Sequence, residues 1–201
     1  MQLEAAPEDG VELDTRERLV RAAIAVFLEK GYGGSRVQDI ARKAGYTAGA
    51  LYVHFPSRTA LLGEAIVLEG RAIIDALIAR FTDITPGSGA VSRVLADFTV
   101  AESGPIDLLL LEALALASRD AEAREMLAST LHDLETAMQS QIEKAMGLGV
   151  LDPTLDVDAI RTFFSAWILG LIVHRAVGLR GADTDAVFEV CQRVTQGISP
   201  E

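Results

Sequence analysis

The side chains with the clearest chemistry lie between residues 35 and 62, and they are of the types that bind nucleic acid. Guanidinium groups contact phosphates, whereas hydroxyl and amide groups hydrogen-bond to phosphates or to base edges. Tyr52 is the most informative of them, because its ring can also lie on a thymine methyl group. The candidate DNA-contacting residues are Arg36, Gln38, Thr47, Ala48, Gly49, Tyr52, His54 and Arg58.

Two short helices joined by a tight turn must position these side chains. Ile40 and Ala44 give the first helix an apolar face at helical spacing. Gly45 can adopt positive φ and end that helix, and Thr47 can cap the next one. The pattern predicts a helix-turn-helix motif, whose second helix, over about residues 47–53, lies in the major groove of DNA.

Helix-start signals predict where the neighbouring helices begin. Ser35 and Gln38 have the spacing of a capping box for the first helix of the motif. Upstream, Asp14 or Thr15 caps a helix that reaches about Lys30. These signals predict a three-helix domain.

The motif belongs to a longer ordered pattern, made of Ala22, Ala23, Phe27, Gly31 and Tyr32 upstream and of the pairs Ile40-Ala41, Ala44-Gly45, Leu51-Tyr52, His54-Phe55, Ser57-Arg58 and Leu61-Leu62. This pattern resembles the N-terminal domain of the tetracycline-repressor (TetR) family over roughly a quarter of the chain. The resemblance implies DNA contacts from Thr47, Tyr52, His54 and Arg58. The alternative for Tyr52 and His54 is that they only pack the small domain. Val53 departs from the family pattern, which leaves fewer side chains for base readout.

The net charge of −11 is unevenly distributed along the chain. Residues 1–14 carry −5 and residues 63–201 carry −11, whereas residues 15–62 carry +5. Phosphate contact requires positive charge, and it is concentrated on the segment that holds the helix-turn-helix. We therefore expect this segment to be the only part of the chain that DNA attracts.

The whole pattern predicts an all-α fold with an N-terminal three-helix helix-turn-helix DNA-binding domain and a C-terminal helical domain for ligand binding and dimerisation. Residues 1–13 are predicted to be a disordered acidic tail, residues 14–60 the DNA-binding domain, and residues 61–201 the second domain. Within the second domain, helices are predicted over about 90–102, 106–118, 121–146, 157–177 and 184–198, after a long helix that starts at Pro56 or Ser57 and ends near Phe81.

The last two helices carry apolar stripes that favour a homodimer interface. Small residues such as Ala166 and Gly170 let another helix approach closely, and no later segment covers these helices. The family resemblance likewise implies a four-helix dimer interface built from them. The alternative is that both stripes only close the core of the monomer. The predicted interface residues are Phe163, Ala166, Gly170, Val173, Val177, Val187, Val190 and Val194.

A small apolar ligand is expected to enter the helical body, because its segments are rich in aliphatic residues. Glu112 lies in a run of leucines and alanines, where an unpaired carboxylate would be costly to bury. It can either face a cavity, where it would favour a cationic ligand, or be exposed or paired with Arg119. The candidate ligand-binding residues are Phe98, Glu112, Met126, Met138, Trp167 and His174.

Other function classes find little support in the sequence. The chain has no phosphate-binding glycine loop, nucleophile elbow or histidine–cysteine cluster with metal spacing, so no enzyme, metal or cofactor is expected. The single cysteine excludes an internal disulfide, and no window is expected to span a membrane, so the chain is expected to be cytoplasmic. The leading hypothesis is a repressor released from a near-palindromic operator by a ligand. The alternatives are a helical sensor or interaction module with weak DNA binding, and a small-molecule enzyme that uses the cavity.

Overall fold

Helical periodicity dominates the sequence, and the computed structural model, which describes residues 14–81, 89–179 and 181–196, is helical accordingly. Across these residues the chain forms nine α-helices and no β-strand, which confirms the all-α prediction. The helices are α1 (Thr15–Gly34), α2 (Val37–Ala44), α3 (Ala48–His54), α4 (Arg58–Phe81), α5 (Ala90–Val100), α6 (Pro105–Ala117), α7 (Ala121–Gly147), α8 (Val157–Ala176) and α9 (Thr184–Gln196). The predicted acidic tail lies outside the described residues.

The chain divides into two compact units between Ala65 and Ile66, a point inside α4. In the N-terminal unit, α2 packs against both α1 and α3. Its core is closely filled, with fully buried side chains from all of its helices, among them Leu19, Ile40 and Leu51. Gly45 ends α2 with a φ of 80°, as its lack of a Cβ allows, and so turns the chain into α3.

The predicted capping box at the start of α2 is wrong. Ser35 is buried, and its hydroxyl donates to the carbonyl oxygen of Tyr32 at 2.8 Å. The hydroxyl therefore closes the end of α1, and Arg36 is the N-cap of α2 without a capping side chain. At the start of α1, Asp14 is the N-cap residue, again without a side-chain hydrogen bond.

The C-terminal unit consists of two groups of packed helices. The first pair is α5 and α9, joined by a buried hydrogen bond of 2.7 Å between the hydroxyls of Ser92 and Thr195. In the second group, α6, α7 and α8 pack against one another. A small cluster of Ile142, Leu151 and Ile160 forms one buried core where α7 meets α8 and the loop between them.

Candidate nucleic-acid interface and cavity

Helix α3 separates a buried side from an exposed one, as a groove-reading helix must. The Thr47 hydroxyl accepts the N–H of Ala50 at 3.2 Å, which confirms Thr47 as the cap. Leu51 and the adjoining Phe55 are buried in the core, whereas Tyr52 is 54% exposed. Exposing the apolar surface of a ring of this size to water is unfavourable, and contact with DNA would remove part of that surface from water.

Most of the other candidate DNA-contacting residues are also accessible. Arg36 and Gln38 are exposed at the start of α2, Thr47, Gly49 and His54 are exposed on or beside α3, and Ala48 is half-buried. Val53 is not among the candidate DNA-contacting residues, yet it is 82% exposed, the highest value among the large apolar side chains that the structure describes. The sequence already indicated this exposure, because a residue two positions after the buried Leu51 lies on the opposite side of the helix.

Arg58 is partly exposed and is held by the N-terminal unit itself, and its contact with DNA stays a prediction. Its guanidinium donates to the carbonyl oxygen of Ser35 and lies 4.1 Å from the centre of the Tyr32 ring. The Tyr32 hydroxyl in turn shares a hydrogen bond of 3.0 Å with Thr59. Arg58 therefore fixes the start of α4 to the end of α1, and its charge is partly used inside the fold.

Ion pairs also fix α2 against α1. Asp39 accepts from Lys30 at 3.0 Å and from Arg42 at 2.7 Å. The hydrogen bond from the Lys30 ammonium lowers the pKa of Asp39, with a smaller contribution from the charge of Arg42. The carboxylate is thus held in its charged form, which partly neutralises the basic side of this unit.

The C-terminal unit contains a partly open cavity of about 730 Å³. Phe98, Met138 and Trp167 line it as expected, and their role in ligand binding stays a prediction. Three further candidates, Glu112, Met126 and His174, are not among its lining residues, which corrects their assignment to the cavity wall. The physical reason is the orientation of each helix: the buried stripe of α6, for example, runs through Ile106, Leu109, Leu110, Ala113 and Ala117 and leaves Glu112 half-exposed beside it.

Aromatic rings form one side of the cavity. The ring centres of Phe98 and Trp167 are 5.8 Å apart, and Phe164 meets Trp167 edge-on at 6.2 Å. All three residues line the cavity, whose other walls are mainly aliphatic. Such a wall favours flat, apolar molecules.

A buried ion pair lies at the cavity, and the sequence did not indicate it. Arg175 lines the cavity and donates to both carboxylate oxygens of the fully buried Asp107, at 2.9 and 3.0 Å. It also donates to the carbonyl oxygen of Phe98 at 3.2 Å. Asp107 and Arg175 are far apart in the sequence, so no local pattern indicated that they would meet.

The predicted dimer residues lie on exposed apolar faces, one on α8 and one on α9. Phe163, Val177, Val190 and Val194 are each at least half exposed, and a Cβ added at Gly170 would meet no atom within 4 Å. Ala166 and Val173 are exposed as well, and Val187 is half-buried. The described part of the chain leaves these faces open, so the alternative in which these residues close the core of the monomer is not what the structure has.

Helix α8 is long and apolar enough to cross a membrane by length and composition, with a mean hydropathy of 1.4. This corrects the expectation that no window qualifies, which considered only uninterrupted apolar runs. The mean hydropathy over the helix stays high despite Arg161, whereas Arg161 interrupts any run of apolar residues that contains it. One helix of this kind is weak evidence for a membrane span, and a protein–protein contact accounts for the same exposed surface.

Within the described ranges, no group of three His, Cys, Asp or Glu side chains is placed to hold a metal ion. Cys191 is half-buried on α9, and burial raises the pKa of its thiol, which makes the thiol less reactive. Neither feature indicates a catalytic site.

Comparison with known proteins assigns residues 19–65 to a family model described as bacterial regulatory proteins, tetR family. One curated relative is the HTH-type transcriptional regulator CymR of Pseudomonas putida, which is 30% identical over 142 residues. That alignment covers 69% of this chain and 66% of CymR, and the next relatives are matched over 18–40% of their length.

Solved structures match over most of the chain. A provisionally assigned TetR-family transcriptional regulator from Mesorhizobium loti has a TM-score of 0.68 at 18% identity, covering 91% of this chain and 94% of that one. The regulator FadR from Bacillus subtilis, in complex with stearoyl-CoA, has a TM-score of 0.61 at 17% identity, covering 89% and 96%. At these identities the likeness shows the fold alone.

Proposed function

The chain belongs to the tetR family of bacterial regulatory proteins, and from this premise we propose that it is a ligand-responsive transcriptional repressor. It binds a near-palindromic operator as a homodimer and leaves it when a small apolar molecule occupies the cavity. It acts in the cytoplasm, where bacterial DNA lies, and no enzymatic step, metal or cofactor is part of the proposal.

The observation that carries the DNA-binding part is the exposed side of α3 within the basic segment. Tyr52, Val53 and His54 are exposed in succession, and the buried Leu51 and Phe55 hold them on a rigid support. We assign Tyr52 and Val53 to base or thymine-methyl contacts and the exposed Arg36 to a phosphate. Arg58, held within the unit, is given a positioning role.

Dimerisation supplies the second recognition helix. We propose that the exposed apolar faces of α8 and α9 pack against the same faces of a second copy, as small residues at helical spacing allow. Two recognition helices can then enter successive major grooves, about 34–36 Å apart. The operator is therefore expected to be an inverted repeat.

Ligand release is proposed to act through α4. Its first residues belong to the N-terminal unit, whereas Gly70, Ile73 and Ile74 on the same helix line the cavity. A ligand that binds better to a state with the wrong spacing of recognition helices shifts the population away from DNA. FadR, a structural neighbour bound to stearoyl-CoA, supports the idea that this fold accepts ligands with a long apolar chain.

The test is salt-dependent binding to duplex DNA. Sites are selected from a random-sequence library, and affinity is measured by fluorescence anisotropy at several salt concentrations. We expect Arg36→Gln to reduce the slope of the salt dependence by about one, and Tyr52→Ala to cost about 1–3 kcal/mol without changing the slope as much. His132→Ala, an exposed change on α7, is the matched control and should leave both quantities unchanged.

A second candidate is a helical sensor or interaction module whose DNA binding is weak, which the acidic charge of residues 63–201 favours. If wild-type protein selects no sequence from the library but still binds apolar compounds, this candidate replaces the repressor.

A further inference from the structure

Few of the residues that line the cavity carry a charge, and each of these is either paired or exposed. Glu135 forms an ion pair with Arg161 at 2.7 Å, and Lys144 is exposed in the last turn of α7. The third, Arg175, is different because its side chain is only 9% exposed. The charge that a ligand meets inside the cavity therefore depends on how far Arg175 is neutralised.

Asp107 neutralises Arg175 with almost ideal geometry. The guanidinium donates through Nε at 3.0 Å and Nη2 at 2.9 Å, one bond to each carboxylate oxygen. The Ser103 hydroxyl and the Gly104 N–H also donate to Oδ2, each at 3.1 Å. A buried pair that is bidentate and satisfied in this way presents almost no net charge to its surroundings.

We propose that the cavity selects an uncharged, mostly apolar ligand, and that Asp107 determines this selectivity by neutralising Arg175. The proposal rests on the ligand-responsive function proposed above and assigns the charge class of the ligand. An anion would lose its hydration to reach a guanidinium that already has a carboxylate partner. A cation would find Asp107 saturated by its donors and absent from the cavity wall.

An uncharged ligand gains from the same arrangement. The aliphatic and aromatic wall removes its apolar surface from water without any penalty for burying a charge. Three of the five guanidinium N–H groups of Arg175 are used by Asp107 and Phe98. A carbonyl, ether or hydroxyl oxygen on the ligand can accept a hydrogen bond from another, which gives orientation without requiring charge.

The experiment compares dyes that share a naphthalene ring and differ in charge. N-phenyl-1-naphthylamine is neutral, and 1-anilinonaphthalene-8-sulfonate is the same skeleton with a sulfonate. N-(1-naphthyl)ethylenediamine supplies a cation. Trp167, the single tryptophan of the chain, lines the cavity, so energy transfer from it reports binding there. We expect wild-type protein to bind the neutral dye about tenfold or more tightly than either charged dye.

The variant Asp107→Asn should then remove most of the selectivity against the anion. It leaves the Arg175 charge unpaired, so sulfonate affinity should rise by about tenfold, while affinity for the neutral dye changes by about twofold at most. Asp185→Asn is the matched control, because it makes the same change of charge at an exposed pair with Arg93. It should change neither affinity.

Two further variants keep the proposal falsifiable. Asp107→Leu combined with Arg175→Met removes both charges, so it covers the case in which Asp107→Asn fails to fold, and it should keep the preference for the neutral dye. Leu95→Phe places a larger side chain on the cavity wall and should weaken binding of the neutral dye.

Equal affinity of wild-type protein for the neutral and sulfonated dyes would overturn the proposal. So would a folded Asp107→Asn protein with no gain for the sulfonate, or binding that Leu95→Phe leaves unchanged. The dye titrations contain no DNA, so their outcome is independent of whether the protein binds an operator.

Discussion

The two units of this protein hold their candidate functional residues in opposite ways. In the N-terminal unit the interior is filled by side chains such as Leu19, Ile40 and Leu51, and the candidate DNA-contacting residues lie outside. In the C-terminal unit the helices line a cavity of about 730 Å³, and three of the candidate ligand contacts, Phe98, Met138 and Trp167, lie on its wall. A filled core keeps an external surface rigid, whereas an unfilled interior can accept a ligand and change its packing.

The exposed apolar side chains of α8 and α9, through which we propose that the protein dimerises, add a second difference between the units. Gly170→Arg would bury an unpaired charge at a dimer interface, so we expect dissociation to become easier by on the order of a thousandfold. Since a Cβ at Gly170 meets nothing within 4 Å, the monomer should remain folded. Sedimentation equilibrium measures the change.

The matched control is Gly33→Arg in the N-terminal unit, where an added Cβ is also free of contacts. It should leave the oligomeric state unchanged. A wild-type protein that is monomeric at micromolar concentration, or loss of the dimer in the Gly33 variant, would contradict the assignment.

Removing one leucine from each unit tests the difference in packing directly. Leu51 is fully buried among close neighbours, so Leu51→Ala should cost about 3–4 kcal/mol. Leu110 is almost as well buried but borders the cavity, so Leu110→Ala should cost about 2 kcal/mol, because part of its surface already lacks packing partners.

Amide hydrogen exchange measures the loss of stability caused by Leu51→Ala in the N-terminal unit. Urea unfolding followed by Trp167 fluorescence measures the loss caused by Leu110→Ala in the C-terminal unit. If Leu110→Ala lowers the free energy of unfolding as much as Leu51→Ala or more, neighbouring side chains must fill the cavity in solution.

The N-terminal unit was predictable because its determinants are local. Gly45 and Thr47 act on their own turn and cap, and both behave as the sequence indicates. The wrong prediction at Ser35 is also a local matter. Its hydroxyl could either cap the start of α2 or donate to the Tyr32 carbonyl at the end of α1, and in the structure it donates to Tyr32. A pattern of helix-start residues cannot decide between two such partners.

The C-terminal unit was predictable only in its helices. Which face of a helix borders the cavity depends on how distant helices pack, so the candidates Phe98 and Trp167 line the cavity whereas Glu112 and His174 do not. The pairing of Asp107 with Arg175 joins α6 to α8, and nothing in the intervening sequence encodes it. Non-local packing therefore sets the chemistry of the cavity, whereas local sequence sets the chemistry of the DNA-binding surface.

Arg58 tests whether the exposed surface depends on the filled core beneath it. Arg58→Met should cost about 1–2 kcal/mol, because it removes a charge-assisted hydrogen bond to Ser35 and the contact with the Tyr32 ring. DNA affinity should fall because the N-terminal unit is less stable. The slope of affinity against salt concentration should stay the same, whereas loss of a phosphate contact would reduce it. A reduced slope in a variant of unchanged stability would restore Arg58 as a direct phosphate contact.

The smallest expected effect compares two carboxylates whose pKa values are lowered for different reasons. At Asp39 the hydrogen-bonded Lys30 ammonium and other positive charges lower the pKa, whereas at Asp152 the backbone N–H and then the hydroxyl of Thr154 do so. Both charged forms stabilise the folded state above the ordinary pKa of about 3.8, and that stabilisation is lost as the pH falls through the lower folded value. Asp39→Asn and Asp152→Asn should therefore each lower the midpoint temperature of unfolding slightly at about pH 7, and this effect should disappear as the pH falls below the lowered pKa.

Salt should separate the two carboxylates. At about 1 M salt the Debye length is about 3 Å, so the pKa of Asp39 should return towards its ordinary value while that of Asp152 changes less. NMR titration of the two carboxyl carbons at low and high salt measures both shifts in the same protein. If the two pKa values respond equally to salt, the ion pairs of Asp39 with Lys30 and Arg42 do not persist in solution. The contact of α2 with α1 would then depend on its apolar core alone, which would make the filled interior of the N-terminal unit still more decisive for the shape of its DNA-binding surface.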